Sequence, residues 1–186
     1  MYATLACCLL LAAQGSLAAS VALVPAAAQV QPGGNLDLVL QIDATDVGSM
    51  TDLVQGQLLI EFDPALASFL GFMPAAGVTT GGAPLIGTAP GGQRSVTLSL
   101  FNAPSSGPMG ILAFAIDAAA GGSIAFGLRD ADEFFGSFVL QTPTNQPFFP
   151  AFSGANVQVV PLPGAAWLLL SALALAGRLQ SGRRNS

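Results

Sequence analysis

Stretch after stretch of this chain alternates apolar and polar residues with a period of two, the spacing of a strand with one buried and one wet face. In Leu36 to Asp43, Leu36, Leu38, Leu40 and Ile42 share one side, opposite Asp37, Gln41 and Asp43. Leu58, Ile60 and Phe62 alternate with Gln57 and Glu61, and Val96, Leu98 and Leu100 with Ser95, Thr97 and Ser99. Leu112, Phe114 and Ile116, then Ile124, Phe126 and Leu128, repeat the pattern. Val21 to Val24 and Asn156 to Val160 read as the first and last strands. Between the runs stand breakers: Pro32-Gly33-Gly34, Asp63-Pro64, Gly81-Gly82, Pro90-Gly91-Gly92, Ser105-Ser106-Gly107-Pro108 and Gly121-Gly122. Short strands joined by such turns predict an all-β fold, an antiparallel jelly-roll β-sandwich.

Composition excludes several functions. The chain has no His, so a Ser–His–Asp site is impossible. Both cysteines, Cys7 and Cys8, lie in the first apolar run; without that run the chain has no thiol for a disulfide, zinc site or nucleophile. All ten acidic residues lie between Asp37 and Glu133, opposed there only by Arg94 and Arg129. An acidic domain with no Lys makes a poor nucleic-acid binder. No phosphate loop or dinucleotide fingerprint is present, and no cofactor is expected.

The remaining candidates are carboxylates and aromatics. Asp130, Asp132 and Glu133 offer oxygen ligands of the kind Ca²⁺ takes, without the spacing of a calcium loop; a solvated turn accounts for them equally. Asp43 and Asp46 bracket a strand end, where Asp serves turns. Glu61 and Asp63 stand two apart on one outer face, but Asp63 before Pro64 reads as a turn residue rather than half of a glycosidase pair. The only Tyr and Trp, Tyr2 and Trp167, lie in the end segments, so the middle has Phe alone. Phe134, Phe135, Phe138, Phe148, Phe149 and Phe152 are expected to pack in the core. Pro143 to Pro147 reads as a long loop.

Read in order, Val30-Gln31-Pro32-Gly33-Gly34, the strand ending Phe62-Asp63-Pro64, Phe69-Leu70-Gly71-Phe72, Gly110 to Asp117 and Gly121 to Phe126 resemble cohesin-type domains. These are jelly-roll sandwiches related to carbohydrate-binding modules. The resemblance covers residues 20–159 and implies a binding or structural module, not an enzyme. Cohesins grip dockerins; nothing in these residues identifies that surface, so the dockerin is not carried over.

The two ends read as sorting segments. Leu5 to Ala13 has the length of a signal-peptide core, and Ala18 or Ala19 suits the residue before a signal peptidase cut. No Lys or Arg precedes it. The other end, 160–186, begins Val160-Pro161-Leu162-Pro163-Gly164, continues as an apolar run, and closes with Arg178, Arg183 and Arg184. It resembles the PEP-CTERM sorting signal in its Val-Pro-Leu-Pro-Ala variant, departing at Gly164. That resemblance implies removal by an exosortase. From Leu162 to Gly177 a helix of roughly 1.5 Å per residue spans roughly 24 Å, short of the roughly 30 Å hydrocarbon core, as suits a temporary anchor. The arginines hold its end on the inner side. The chain thus divides into a signal peptide (1–19), a sandwich (20–159) and a sorting signal (160–186). The expectation is an exported, non-enzymatic protein, anchored transiently in the inner membrane and then carried to the cell surface or extracellular matrix. Its partner there is exopolysaccharide or another envelope protein.

Overall fold

The computed structural model describes residues 19–48, 52–132, 134, 136–141 and 145–161. Two sheets pack face to face. The smaller runs in the order β13-β1-β3-β9-β5, with β1 Ser20–Pro25, β3 Asn35–Asp43, β5 Ala67–Pro74, β9 Ser106–Ile116 and β13 Ala151–Ser153. The larger is built on β4 Leu53–Phe62, which lies between β8 Arg94–Pro104 and β10 Gly122–Asp130. Beyond β10 come β14 Ala155–Val159 and β2 Gln29–Val30. Beyond β8 lie β6 Thr79–Thr80 and β7 Leu85–Thr88. The start of β4 also pairs with β11 Val139–Leu140, which carries β12 Gln146–Pro147. The predicted all-β sandwich is therefore observed, and the alternating residues explain it. The apolar set of β3, Leu36, Leu38, Leu40 and Ile42, is buried, as are Leu58, Ile60 and Phe62 of β4.

The core is centred on Phe114, which is fully buried. Its ring meets Phe62 at 5.2 Å, Phe69 at 5.5 Å and Phe126 at 4.8 Å between centroids. Edge-on and tilted aromatic contacts of this kind add to the burial itself. Phe62 and Phe126 stand opposite one another on β4 and β10 of the larger sheet, and Phe114 and Phe69 on β9 and β5 of the smaller, so the cluster pins four strands at once.

The structure corrects the sequence reading in two places and adds a strand to it. Ser105-Ser106-Gly107-Pro108 does not end a strand. Only buried Ser105 separates β8 from β9, and there the chain bends from one sheet into the other. Pro108 is accommodated because the β3–β9 register shifts between Leu40 and Gln41 beside it, and a bulge tolerates a residue without an N–H. The segment Ala67–Pro74 is a full strand, though its alternation breaks at a bulge around Leu70. The late phenylalanines do not all pack inside. Phe138 and Phe148 are buried, 5.7 Å apart, but Phe134 is 91% and Phe149 70% exposed; Phe135 lies outside the described residues.

The two ends of the domain are tied together. β13 runs parallel to β1 in one sheet, and β2 runs parallel to β14 in the other. Between β13 and β14 the chain crosses sheets at Gly154, where a Cβ would collide with the Phe126 carbonyl oxygen. Among the described residues no helix is long and apolar enough to cross a membrane; both apolar end segments lie outside those residues.

Candidate binding surface

The acidic turn closes on itself. Asp130 is buried; its Oδ1 accepts the Asp132 N–H at 2.8 Å and its Oδ2 the Ser137 N–H at 3.0 Å. Asp132 Oδ1 accepts from the Phe134 N–H at 3.2 Å. Asp130 thus holds the 131–137 loop in shape, and Ser137 extends the clasp by exchanging two hydrogen bonds with the Gln57 backbone, at 2.7 and 2.9 Å. Glu133, the third residue of the calcium candidate, lies outside the described residues. Among the described residues no three His, Cys, Asp or Glu side chains converge. Beside the turn, Arg129, Asp132, Gly136, Phe149 and Phe152 line a shallow hollow of about 250 Å³.

The other acidic candidates serve turns or a strand pair. Asp43 accepts from the Thr45 hydroxyl at 2.8 Å, and Asp63 from the Ala65 N–H at 2.8 Å. Glu61 is bound by Arg129 at 3.0 Å from the neighbouring strand. The pair is diagonal, since Arg129 stands opposite Leu59 and Gly127 opposite Glu61. Glu61 and Asp63 therefore have different local tasks, as expected of a turn residue after a strand.

The outward face of the larger sheet is the broadest candidate surface. Its register aligns Leu85, Thr97, Leu59 and Arg129 in one row and Gly87, Ser95, Glu61 and Gly127 in the next. Side chains there are short and mostly neutral, and the two charges in these rows neutralise one another. Leu85 and Leu53, at 71% and 39% exposed, add apolar area. The outward face of the smaller sheet differs. Asp37, Gln41 and Asp43 project from β3, around an apolar row of Val24, Val39, Ile111 and Met73. Short side chains lose little conformational entropy when covered, and the pairing of Arg129 with Glu61 lowers the cost of covering those two charges. The larger sheet is thus the easier one to cover with a folded partner. The sequence hid this face, because it arises only once β7, β8, β4 and β10 are in register.

The sorting residues lie at the edge of the described chain. Ala19 is buried, and its carbonyl accepts the Ala151 N–H at 2.7 Å. Val160 donates its N–H to Val30 at 2.9 Å, the last ladder bond before Pro161, which has no N–H to give. Ala18, Leu162, Pro163, Gly164, Arg178, Arg183 and Arg184 lie outside the described residues.

No protein-family model matches the chain, and no curated protein matches it. Solved structures do. The seventh ScaB type I cohesin of Pseudobacteroides cellulosolvens is similar with a TM-score of 0.56 at 13% identity, covering 78% of this chain and 94% of that one. The cohesin module of a Clostridium perfringens family 33 glycoside hydrolase gives 0.55 at 9% identity, covering 78% and 98%. The sixth cohesin of Acetivibrio cellulolyticus scaffoldin B, solved in complex with a Cel5 dockerin, gives 0.54 at 14% identity, covering 77% and 99%. At these identities the likeness is one of fold: the described residues form a β-sandwich of the cohesin type.

Proposed function

We propose that this chain is an exported, non-enzymatic module of the cell envelope or extracellular matrix, which holds a partner protein on the outward face of its larger sheet. The observation that carries this reading is the face itself: rows of mostly short side chains, one internal ion pair, and exposed Leu85 and Leu53 at its borders. The cohesin fold supports it, since one similar module is known in complex with a dockerin. A dockerin-like folded protein is the kind of partner proposed. Delivery is assigned to the two ends. Signal peptidase removes the first, and an exosortase acts at Val160 to Gly164 after the apolar segment and Arg178, Arg183 and Arg184 have held the chain in the inner membrane.

The geometry favours a signal cut after Ala18. A cut after Ala19 would remove a buried residue and its bond to Ala151. Mass spectrometry of the exported protein is expected to find Ala19 as the first residue; Ser20 would contradict this. Replacing Thr97 by Arg is expected to abolish retention of the exported protein in the envelope fraction without unfolding it. Unchanged retention would sink the proposed face.

A second reading has its own observation. Exposed Phe149 stands beside Arg129 and Asp132 at the 250 Å³ hollow, an aromatic surface with polar neighbours of the kind that takes a sugar ring. An array of exopolysaccharides decides: binding lost on Phe149→Ala would favour a carbohydrate-binding module.

A further inference from the structure

At the flank where β5 and β7 face one another, the sandwich is open. A cavity of about 260 Å³ enters between the sheets there, lined by Phe62, Ala67, Ser68, Phe69, Ile86 and Arg94. The register explains which side chains point into it. Ile86 stands opposite Val96, which is fully buried, and Arg94 opposite Phe62, which is buried too. Ile86 and Arg94 therefore share the inward face of the larger sheet. Thr88, opposite Arg94, lies on the same side. Among the described residues no hydrogen bond or ion pair engages the Arg94 side chain, which is exposed. An Arg at the mouth of a cavity lined by both polar and apolar groups is a site for a carboxylate.

The strand beside this cavity is also unfinished. Among the described residues β7 pairs with β8 alone, so its other edge carries free N–H and C=O groups. Natural edges are blunted by charge, proline or a bulge. β5 across the cavity has a bulge at Leu70 and ends in Pro74. β7, Leu85-Ile86-Gly87-Thr88, is short, four residues, but carries no charge, proline or bulge; Leu85 and Ile86 are 71% and 56% exposed.

We propose that this flank receives an extended segment of a partner polypeptide, added as a strand to β7, with an apolar and an acidic residue two positions apart. Residues two apart on a strand point the same way, about 6.6 Å from one another. One lies level with Ile86 and fills the cavity against Phe69. The other lies level with Thr88 and sets its carboxylate on Arg94. A free strand edge is matched by another strand, which selects a polypeptide over an acidic sugar. The site is separate from the outward face of the larger sheet, so either stands if the other fails.

The test uses a fluorescein-labelled, end-blocked peptide, Thr-Thr-Val-Thr-Asp-Thr-Thr, and its counterpart with Asn for Asp. Each is titrated against the full-length chain by fluorescence polarisation. The Asp peptide is expected to bind about fivefold more tightly, the scale of one exposed ion pair. Arg94→Gln removes the preference, and Arg94→Glu transfers it to a Lys peptide. Ile86→Ser weakens both peptides, while Thr97→Arg changes neither. Each altered residue is at least partly exposed, so folding is retained. A version N-methylated on alternate backbone nitrogens is expected not to bind. Equal affinity of the two peptides, no saturable binding, or a preference that survives Arg94→Gln would overturn the proposal. So would unimpaired binding of the N-methylated peptide together with competition by glucuronate, which would assign the site to an acidic sugar.

Discussion

The two flanks of the sandwich are finished in different ways. At one, the terminal runs of the domain pass from sheet to sheet and pair in parallel, β1 with β13 and β2 with β14. Buried Val21, Ala155 and Val157 fill the space behind them. At the other, β5 and β7 leave a cavity between edges that are unpaired among the described residues, with Arg94 at its mouth. The first arrangement fixes where the chain begins and ends in space. The second leaves apolar surface and, among the described residues, strand-edge backbone groups open to water: the tied flank is read as structural and the open flank as binding.

This contrast is broken most severely from the centre. Phe114→Ala removes the ring shared by Phe62 and Phe69, behind the open flank, and by Phe126, toward the tied one. A loss of about 3–5 kcal/mol is expected in urea unfolding, and a loss under half of that would show that the cluster is not the keystone. Gly154→Val tests the tied flank alone. Its Cβ meets the Phe126 carbonyl where the chain changes sheets, and a loss of about 1–3 kcal/mol is expected. At the open flank, Arg94→Gln removes no hydrogen bond or ion pair among the described residues and is expected to shift stability by less than about 0.5 kcal/mol. A larger loss there would mean that the open flank is structural after all.

Much of this architecture was legible beforehand, and the limits have physical causes. β1, β3, β10 and β14, together with Val96 to Leu100 of β8 and Leu112 to Ile116 of β9, show alternation because each buries one face against the opposing sheet. β5 was hidden because its bulge puts Leu70 out of phase. The strands of two residues carry no period at all. Ser105 to Pro108 has the chemistry of a turn, and only the partner register at Leu40 and Gln41 turns it into a strand. Asp43 and Asp63 were readable as turn residues because their hydrogen bonds are local. The Glu61–Arg129 pair joins residues far apart in sequence and depends on register, as does the cavity at Arg94. Arg94 itself appeared in the sequence only as one of two charges opposing the acidic ones. Phe134 and Phe149 are expected in the core, but the loop anchored by Asp130 and Ser137 carries Phe134 outside, and Phe149, between β12 and β13, is exposed as well.

The central claim, a partner protein held on the outward face of the larger sheet, is tested most directly by site-specific photo-crosslinking in intact cells. A photoreactive benzophenone side chain is placed in turn at Thr97, in the middle of that face, and at Gln41, on the outward face of the smaller sheet. The account predicts one discrete protein adduct from position 97 and none from position 41. The same adducts from both positions, or none from either, would contradict it.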